Sequence, residues 1–278
     1  MKVAVIQMVS GQDPAANLKQ ASTLLDEAAA AGAELAVLPE YFCQIGQHDT
    51  DKLAIAESPG AGPLQQFLQE RARSLGLWLV GGTLPLTESP ATSAPDSPRV
   101  FNSTLVYSPH GDCVARYDKI HLFRFDNGRE RYDESLVQAA GSRPVVFDLP
   151  SIDGHTWRIG LSVCYDLRFA ELYRHYATQG AHLLLVPSAF TYVTGQAHWE
   201  VLLRARAIEN LCGVVAPAQG GVHENGRSTW GHSMVIDPWG QVLAQRDEGA
   251  GVVLAELDAA QLAARRASLP ALRHRVLG

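Results

Sequence analysis

Apolar residues along the chain recur at two spacings, and stretches with one spacing alternate with stretches of the other. Residues 2–8 carry Val3, Val5 and Ile6 in the pattern of a strand. Asp13-Pro14 then sets a capping carboxylate before a proline, which predicts a helix running to about residue 31 with Gly32 as its stop. The apolar run 35–38 reads as a buried parallel strand that delivers Pro39-Glu40-Tyr41-Phe42 to its end. Gly60-Ala61-Gly62-Pro63 breaks the chain before a second helix at 64–75, and 77–82 reads as another strand.

Farther along, residues 88–98 are rich in Ser, Pro and Thr and predict an exposed excursion. Segments 100–107 and 113–117 flank Ser108-Pro109-His110-Gly111-Asp112, a hairpin signature. Residues 119–141 have many charges and little periodicity, so they read as a long loop, and Phe123, Phe125 and Tyr132 suit a functional loop better than disorder. Trp157, Ile159, Leu161 and Val163 alternate with Arg158, Gly160 and Ser162, and a helical pattern begins near Arg168 and continues through 171–179. A strand at 183–187, a loop at 188–196 and a helix at 197–210 follow, the last with Arg204 and Arg206 interrupting its apolar face. Strands at 214–218, 233–237 and 252–256 close the sheet, 220–231 is glycine-rich and exposed, and the tail carries Arg265, Arg266, Arg273 and Arg275. Strand–helix alternation mixed with hairpins, without a linker or internal repeat, predicts a single layered α/β domain over residues 1–278.

Composition narrows the function. With 46% apolar residues in 278, the chain can bury a sizeable core. A net charge of −6 argues against a nucleic-acid or anionic-membrane surface. No apolar run is long enough to span a bilayer, and the strand-like start has no signal-peptide pattern. Cys43, Cys113, Cys164 and Cys212 are widely spaced and lack zinc-site spacing, so the expectation is a soluble cytoplasmic protein with reduced thiols and no metal.

Among these cysteines Cys164 stands apart, because it falls at a strand-to-helix junction. A thiol there is held by a rigid sheet yet opens toward the crevice where α/β folds place ligands. A buried thiol acting as a small hydrophobe is the plainer alternative, and the polar neighbours Ser162, Asp166 and Arg168 weigh against it. Glu40 and Lys119 also end predicted strands, although either could be a turn cap or a solvated charge. Together they offer a carboxylate base, a cation and a thiol for cleaving an amide. Glu40, if burial raises its pKa, takes the thiol proton and passes it to the departing ammonia; Lys119 and the Tyr165 N–H hold the oxyanion; water then attacks the thioester.

These residues lie in motifs that resemble the nitrilase-like carbon–nitrogen hydrolases. The motifs are Leu38-Pro39-Glu40, Tyr117-Asp118-Lys119-Ile120-His121-Leu122-Phe123, and Gly160-Leu161-Ser162-Val163-Cys164-Tyr165-Asp166-Leu167-Arg168-Phe169. The resemblance implies an α-β-β-α sandwich that stacks in pairs into four layers, a homodimer or higher homo-oligomer, a small-molecule amide substrate, no cofactor, and a triad of Glu40, Lys119 and Cys164. Tyr132-Asp133-Glu134-Ser135 resembles the motif of the family's second glutamate, which makes Glu134 the candidate for orienting Lys119 and the substrate amide. Tyr165-Asp166 after the cysteine differs from the Trp-Glu pair of true nitrilases. The segments Pro187–Glu209 and 231–240 resemble the branch containing deaminated glutathione amidase and omega-amidase, and Leu203–Glu209 with Ala216-Pro217-Ala218-Gln219 leans to the former.

That lean implies hydrolysis of deaminated glutathione to 2-oxoglutarate and cysteinylglycine, with 2-oxoglutaramate hydrolysis as the alternative. Tyr165, Arg168, His121, Phe190 and Arg206 are the candidates for substrate binding, with Arg168 also readable as a partner of Asp166. A papain-like pairing of Cys164 with His198 or His232, and a non-catalytic redox-sensing or partner-binding module on the same scaffold, are the other readings. Phe169-Ala170-Glu171 lacks the proline that relatives often carry after the nucleophile, a change at a helix start.

Overall fold

The computed structural model describes residues 1–87 and 99–277, so the excursion expected over 88–98 lies outside the described residues. Strand Lys2–Gln7 shows how the sequence pattern builds layers. Val3 and Val5 belong to an apolar cluster shared with a second sheet, whereas Ala4 and Ile6 pack with Leu24, Leu25, Leu64 and Leu68 of two covering helices. A strand buried on both faces separates two layers of core.

Among the described residues the first sheet has eight strands. Its path runs Gly251–Glu256, Lys2–Gln7, Leu35–Val37, Trp78–Val80, Val100–Tyr107 and Leu84–Thr87, with Cys113–Asp118 and Gln138–Ala139 also paired to Val100–Tyr107. The second sheet has six strands in the order Val146–Pro150, Thr156–Leu161, Leu183–Leu185, Gly213–Ala216, Ser233–Ile236 and Val242–Arg246. Each sheet has a parallel centre: Val3 is in register with Leu35 and Leu35 with Trp78, while Ile159 is in register with Leu183 and Leu183 with Gly213.

Helices Pro14–Ala30 and Pro63–Leu75 cover the outer face of the first sheet, and Ala170–Thr178 and Tyr192–Asn210 cover the second. The first of these starts as its cap predicts, with the Asp13 carboxylate accepting from the Ala15 N–H, and Ala21, Leu24, Leu25 and Ala28 form its buried stripe. The result is the α-β-β-α sandwich. Burying each of its large aliphatic side chains contributes roughly 1.5 to 3 kcal/mol, and Leu25, Leu35 and Leu38 are fully buried.

Several expectations change. The strands expected to close one sheet divide between two: Gly251–Glu256 joins the first, Ser233–Ile236 the second. The helix expected from residue 197 begins at Tyr192; Thr194 and Gly195 weaken its sequence signal, but a Cβ on Gly195 would lie 2.2 Å from Trp230 Cβ, so close packing requires that glycine. Residues 119–141 hold a hairpin, Arg124–Asp126 with Arg131–Asp133, and a 3-10 turn at Glu134–Leu136. Residues 220–231 form the hairpin Gly220–Val222 with Ser228–Trp230, and its His223 is buried rather than exposed. Val146–Pro150 is an additional strand whose Pro150 is tolerated because the strand lies at the sheet edge.

Gly82 ties this fold to the chemistry. It follows Trp78–Val80 with φ +51°, and a Cβ there would lie 2.0 Å from the Pro39 carbonyl oxygen, one residue before Glu40. Gly82→Ala should therefore cost about 3 kcal/mol, by positive-φ strain plus displacement of backbone. Gly76→Ala, at φ +63° with nothing within 4 Å of its Cβ, should cost only about 1 kcal/mol. Urea unfolding of the two variants measures the difference.

Candidate active site

Glu40, Lys119 and Cys164 come from the ends of three strands. Glu40 follows Leu35–Val37, Lys119 follows Cys113–Asp118, and Cys164 follows Thr156–Leu161. The next residue after Glu40, Tyr41, has φ +56°, and Cys164 itself has φ +49°. Left-handed backbone at a non-glycine residue costs of order 1 to 3 kcal/mol and persists where its surroundings over-determine it. At Cys164 the surroundings are explicit: its N–H donates to Pro187 O at 3.0 Å, and it opens a 3-10 turn, Cys164–Arg168.

The Lys119 ammonium lies 3.0 Å from Glu40 Oε1 and 2.9 Å from Glu134 Oε1, with no exposed side-chain surface of its own. Glu40 receives two further hydrogen bonds, from Asn102 Nδ2 at 2.8 Å and from the Ala189 N–H at 2.9 Å. Glu134 receives the Tyr41 hydroxyl at 3.0 Å and the Phe123 N–H at 2.6 Å. Two of the ammonium's three N–H groups are thus engaged by carboxylates, which leaves a third.

Burial lowers the affinity of Lys119 for its proton, but Glu134 and Glu40 together outweigh it and hold the pKa well above that of an ordinary lysine. Burial likewise opposes ionisation of Glu134, and Lys119 with the Phe123 N–H reverses that, so its pKa is lowered. Cys164 goes the other way. Burial and then Glu40 push its pKa well above that of a free thiol, against the pull of Lys119 and the Ala189 N–H. The resting group is a thiol that needs a base. A redox-sensing cysteine has the opposite character, exposed and low in pKa.

Glu40, Glu134 and Cys164 line one cleft of about 890 Å³, open to solvent, and Lys119 lies directly behind them. Tyr165, Arg168 and Phe190 also line it, the Arg168 guanidinium lying 5.7 Å from the Tyr165 ring and 5.5 Å from that of Phe190.

Two of the residues proposed for substrate binding do not reach the cleft. His121 stacks on Phe169 at 3.6 Å and its Nδ1 lies 2.7 Å from Asp166 Oδ1. Arg206 is buried and turned away: it donates to Leu167 O at 3.0 and 2.8 Å and pairs with Glu209 at 2.8 Å, bracing helix Tyr192–Asn210 against the cysteine's turn. Asp166 is taken by Tyr117, His121 and the Val163 N–H, so Arg168 is not its partner. Nor do His198 and His232 supply a base to Cys164. His198 is exposed beside Arg168, and His232 stacks on Trp230 with its Nδ1 2.8 Å from Trp230 O. Among the described residues no group of three or more His, Cys, Asp or Glu side chains is arranged to hold a metal ion.

Sequence reasoning missed Tyr41, Asn102 and the Ala189 N–H. Asn102 did leave a signal: Asn102-Ser103-Thr104 puts three polar residues in succession inside an otherwise apolar strand, and all three are buried.

The family model described as carbon-nitrogen hydrolase matches residues 2–267. The chain belongs to that family. The hydrolase is 41% identical over 275 residues to a Synechocystis sp. protein named deaminated glutathione amidase, covering 98% of this chain and 97% of that one. It superposes on the nitrilase and fragile histidine triad fusion protein NitFhit of Caenorhabditis elegans with TM-score 0.85 and 38% identity, over 99% of this chain and 65% of that longer one. Against the hydrolase XC1258 of Xanthomonas campestris, solved with an arsenic adduct in its active site, the TM-score is 0.83 at 34% identity, over 100% of this chain and 99% of that one. As a member of this family, the protein is a hydrolase acting on carbon–nitrogen bonds other than peptide bonds.

Removing the ammonium of this hydrolase should expose the electrostatics directly. Lys119→Ala leaves the buried Glu40 and the partly buried Glu134 unpaired and should cost about 3 to 5 kcal/mol at neutral pH. The folded-state pKa of Glu134 is depressed, so its contribution is present above the unfolded carboxylate value, about 4.3, and is lost as pH falls through the folded value. The gap between variant and wild type should therefore narrow in acid, as measured by urea unfolding across pH.

Proposed function

We propose that the protein is an amidase that hydrolyses deaminated glutathione to 2-oxoglutarate and cysteinylglycine through a thioester on Cys164, and that it works in the cytoplasm as a homodimer. The observation that carries this reading is one cleft containing a buried thiol and two carboxylates bridged by a buried ammonium. The name borne by the Synechocystis relative supports the substrate, and the four free cysteines support a reducing compartment.

Glu40 takes the Sγ proton as the sulfur attacks the amide carbon at the far end of the 2-oxoglutaryl group. The C–S bond forms and the carbonyl electrons move onto oxygen. The free N–H of Lys119 and the Tyr165 N–H receive that oxyanion, each such donor contributing roughly 3 to 4 kcal/mol to the transition state. Collapse breaks the C–N bond while protonated Glu40 gives its proton to the nitrogen, and the dipeptide amine leaves. Water then adds to the thioester with Glu40 as base, and the sulfur recovers the proton from Glu40 as 2-oxoglutarate departs. Arg168, on the cysteine's own turn and facing the cleft, holds the 2-oxo-acid carboxylate of the acyl half. Asn102 and Ala189 keep the Glu40 carboxylate aimed.

Steady-state assays on deaminated glutathione should give turnover by the wild type and none by Cys164→Ala. Glu40→Gln should lose about 10² to 10⁴ in kcat, the usual scale for a general acid–base group. An acyl adduct on Cys164 in intact-mass spectra should accompany turnover. Full activity of Cys164→Ala ends the proposal.

A further inference from the structure

A second set of cations faces the cleft and has no part in the chemistry above. Lys52 lies on the short helix Asp51–Ala54, and Arg227 precedes strand Ser228–Trp230 in a hairpin about 175 residues farther along the chain. Their charges meet at Asp49, whose Oδ1 is 3.9 Å from Lys52 Nζ and 3.4 Å from Arg227 Nη1. The two cations share that one carboxylate, the only one within 4.0 Å of either among the described residues, with Glu134 farther off and also acting on Lys52. Aromatic walls bound the place: Lys52 Nζ lies 5.0 Å from the Tyr41 ring, and the Arg227 guanidinium 4.6 Å from that of Tyr132. The Lys52 side chain is only 17% exposed, and burial lowers its pKa from the ordinary value. Its ammonium is poorly hydrated and suited to a charged partner arriving from the cleft.

We propose that Lys52 and Arg227 form the subsite for the carboxylate of the departing amine, so that the enzyme selects N-substituted amides whose amine half carries an acid group over primary amides. The assignment rests on the amidase reading above. Its direction follows from the chemistry. The acyl half becomes bonded to Cys164 and must stay beside that residue's own turn, where Arg168 lies. The amine half must leave to solvent, and Arg227 and Asp49, at 40% and 45% exposed, form the wetter end. Deaminated glutathione has a carboxylate at each end of its scissile amide; 2-oxoglutaramate lacks the one on the amine side, because its leaving group is ammonia.

Lys52→Met and Arg227→Leu are assayed against both substrates, with the glycine carboxamide of deaminated glutathione as a third. Each variant should lower the ratio of kcat/KM for deaminated glutathione over 2-oxoglutaramate about tenfold, the effect of one lost charge-assisted hydrogen bond, mainly through KM. The carboxamide should impose a comparable loss on the wild type and little more on the variants. A ratio that holds within about twofold in both variants overturns the subsite, whether because both substrates suffer equally, as for cations that hold the acyl carboxylate, or because neither does. Wild-type turnover of neither substrate overturns the amidase reading and the subsite with it, an outcome distinct from turnover of deaminated glutathione at an unchanged ratio.

Discussion

The arrangement on which the rest depends is one ammonium buried between two carboxylates. Desolvating an ion costs several kcal/mol even after a protein relaxes around it, and Lys119 offsets that cost by holding Glu40 and Glu134 each within hydrogen-bond distance of its ammonium. Mutual attraction alone would leave their orientations loose. Neutral donors fix them: Asn102 and Ala189 on Glu40, Tyr41 and Phe123 on Glu134. Burial first, and then the neighbouring Glu40, hold the Cys164 pKa above that of a free thiol. The thiol is therefore quiet until a bound carbonyl gives the displaced electron pair somewhere to go.

Holding those groups together requires two sheets. Glu40 and Lys119 belong to the first, Cys164 and Ala189 to the second, and the buried seam between the sheets aligns the carboxyl ends of both parallel centres. A shift of one sheet across the other would separate Glu40 from Cys164, so the packing of Val3, Val5 and Val37 against the second sheet bears on the proposed chemistry as well as on the fold. The left-handed backbone at Tyr41 and Cys164 is strain that the surrounding core can hold.

Substrate discrimination is assembled separately. The proposed chemistry uses strand ends, whereas the walls of the cleft come from connections: the 3-10 turn that begins at Cys164, the short helix carrying Lys52 and the hairpins carrying Tyr132 and Arg227. Such connections can change sequence with little effect on the core, so one scaffold can meet amides with different leaving groups.

The chain's own periodicity determined the strands and helices that form the layers, because apolar alternation and capping are local signals that Lys2–Gln7, Pro14–Ala30 and Thr156–Leu161 obey. Placement at predicted strand ends likewise marked Glu40, Lys119 and Cys164 before their proximity could be seen, and the family resemblance marked Glu134. Tertiary structure alone decided which arginines matter. Arg168 and Arg206 look alike in sequence, but one faces the cleft and the other is spent on Leu167 O and Glu209. His121 went to Asp166, and Lys52 and Arg227 met at one carboxylate across about 175 residues of chain. Local pattern records which face of an element is apolar; where a long polar side chain finds its partner depends on what the fold brings across from elsewhere, and no spacing along the chain encodes that distance.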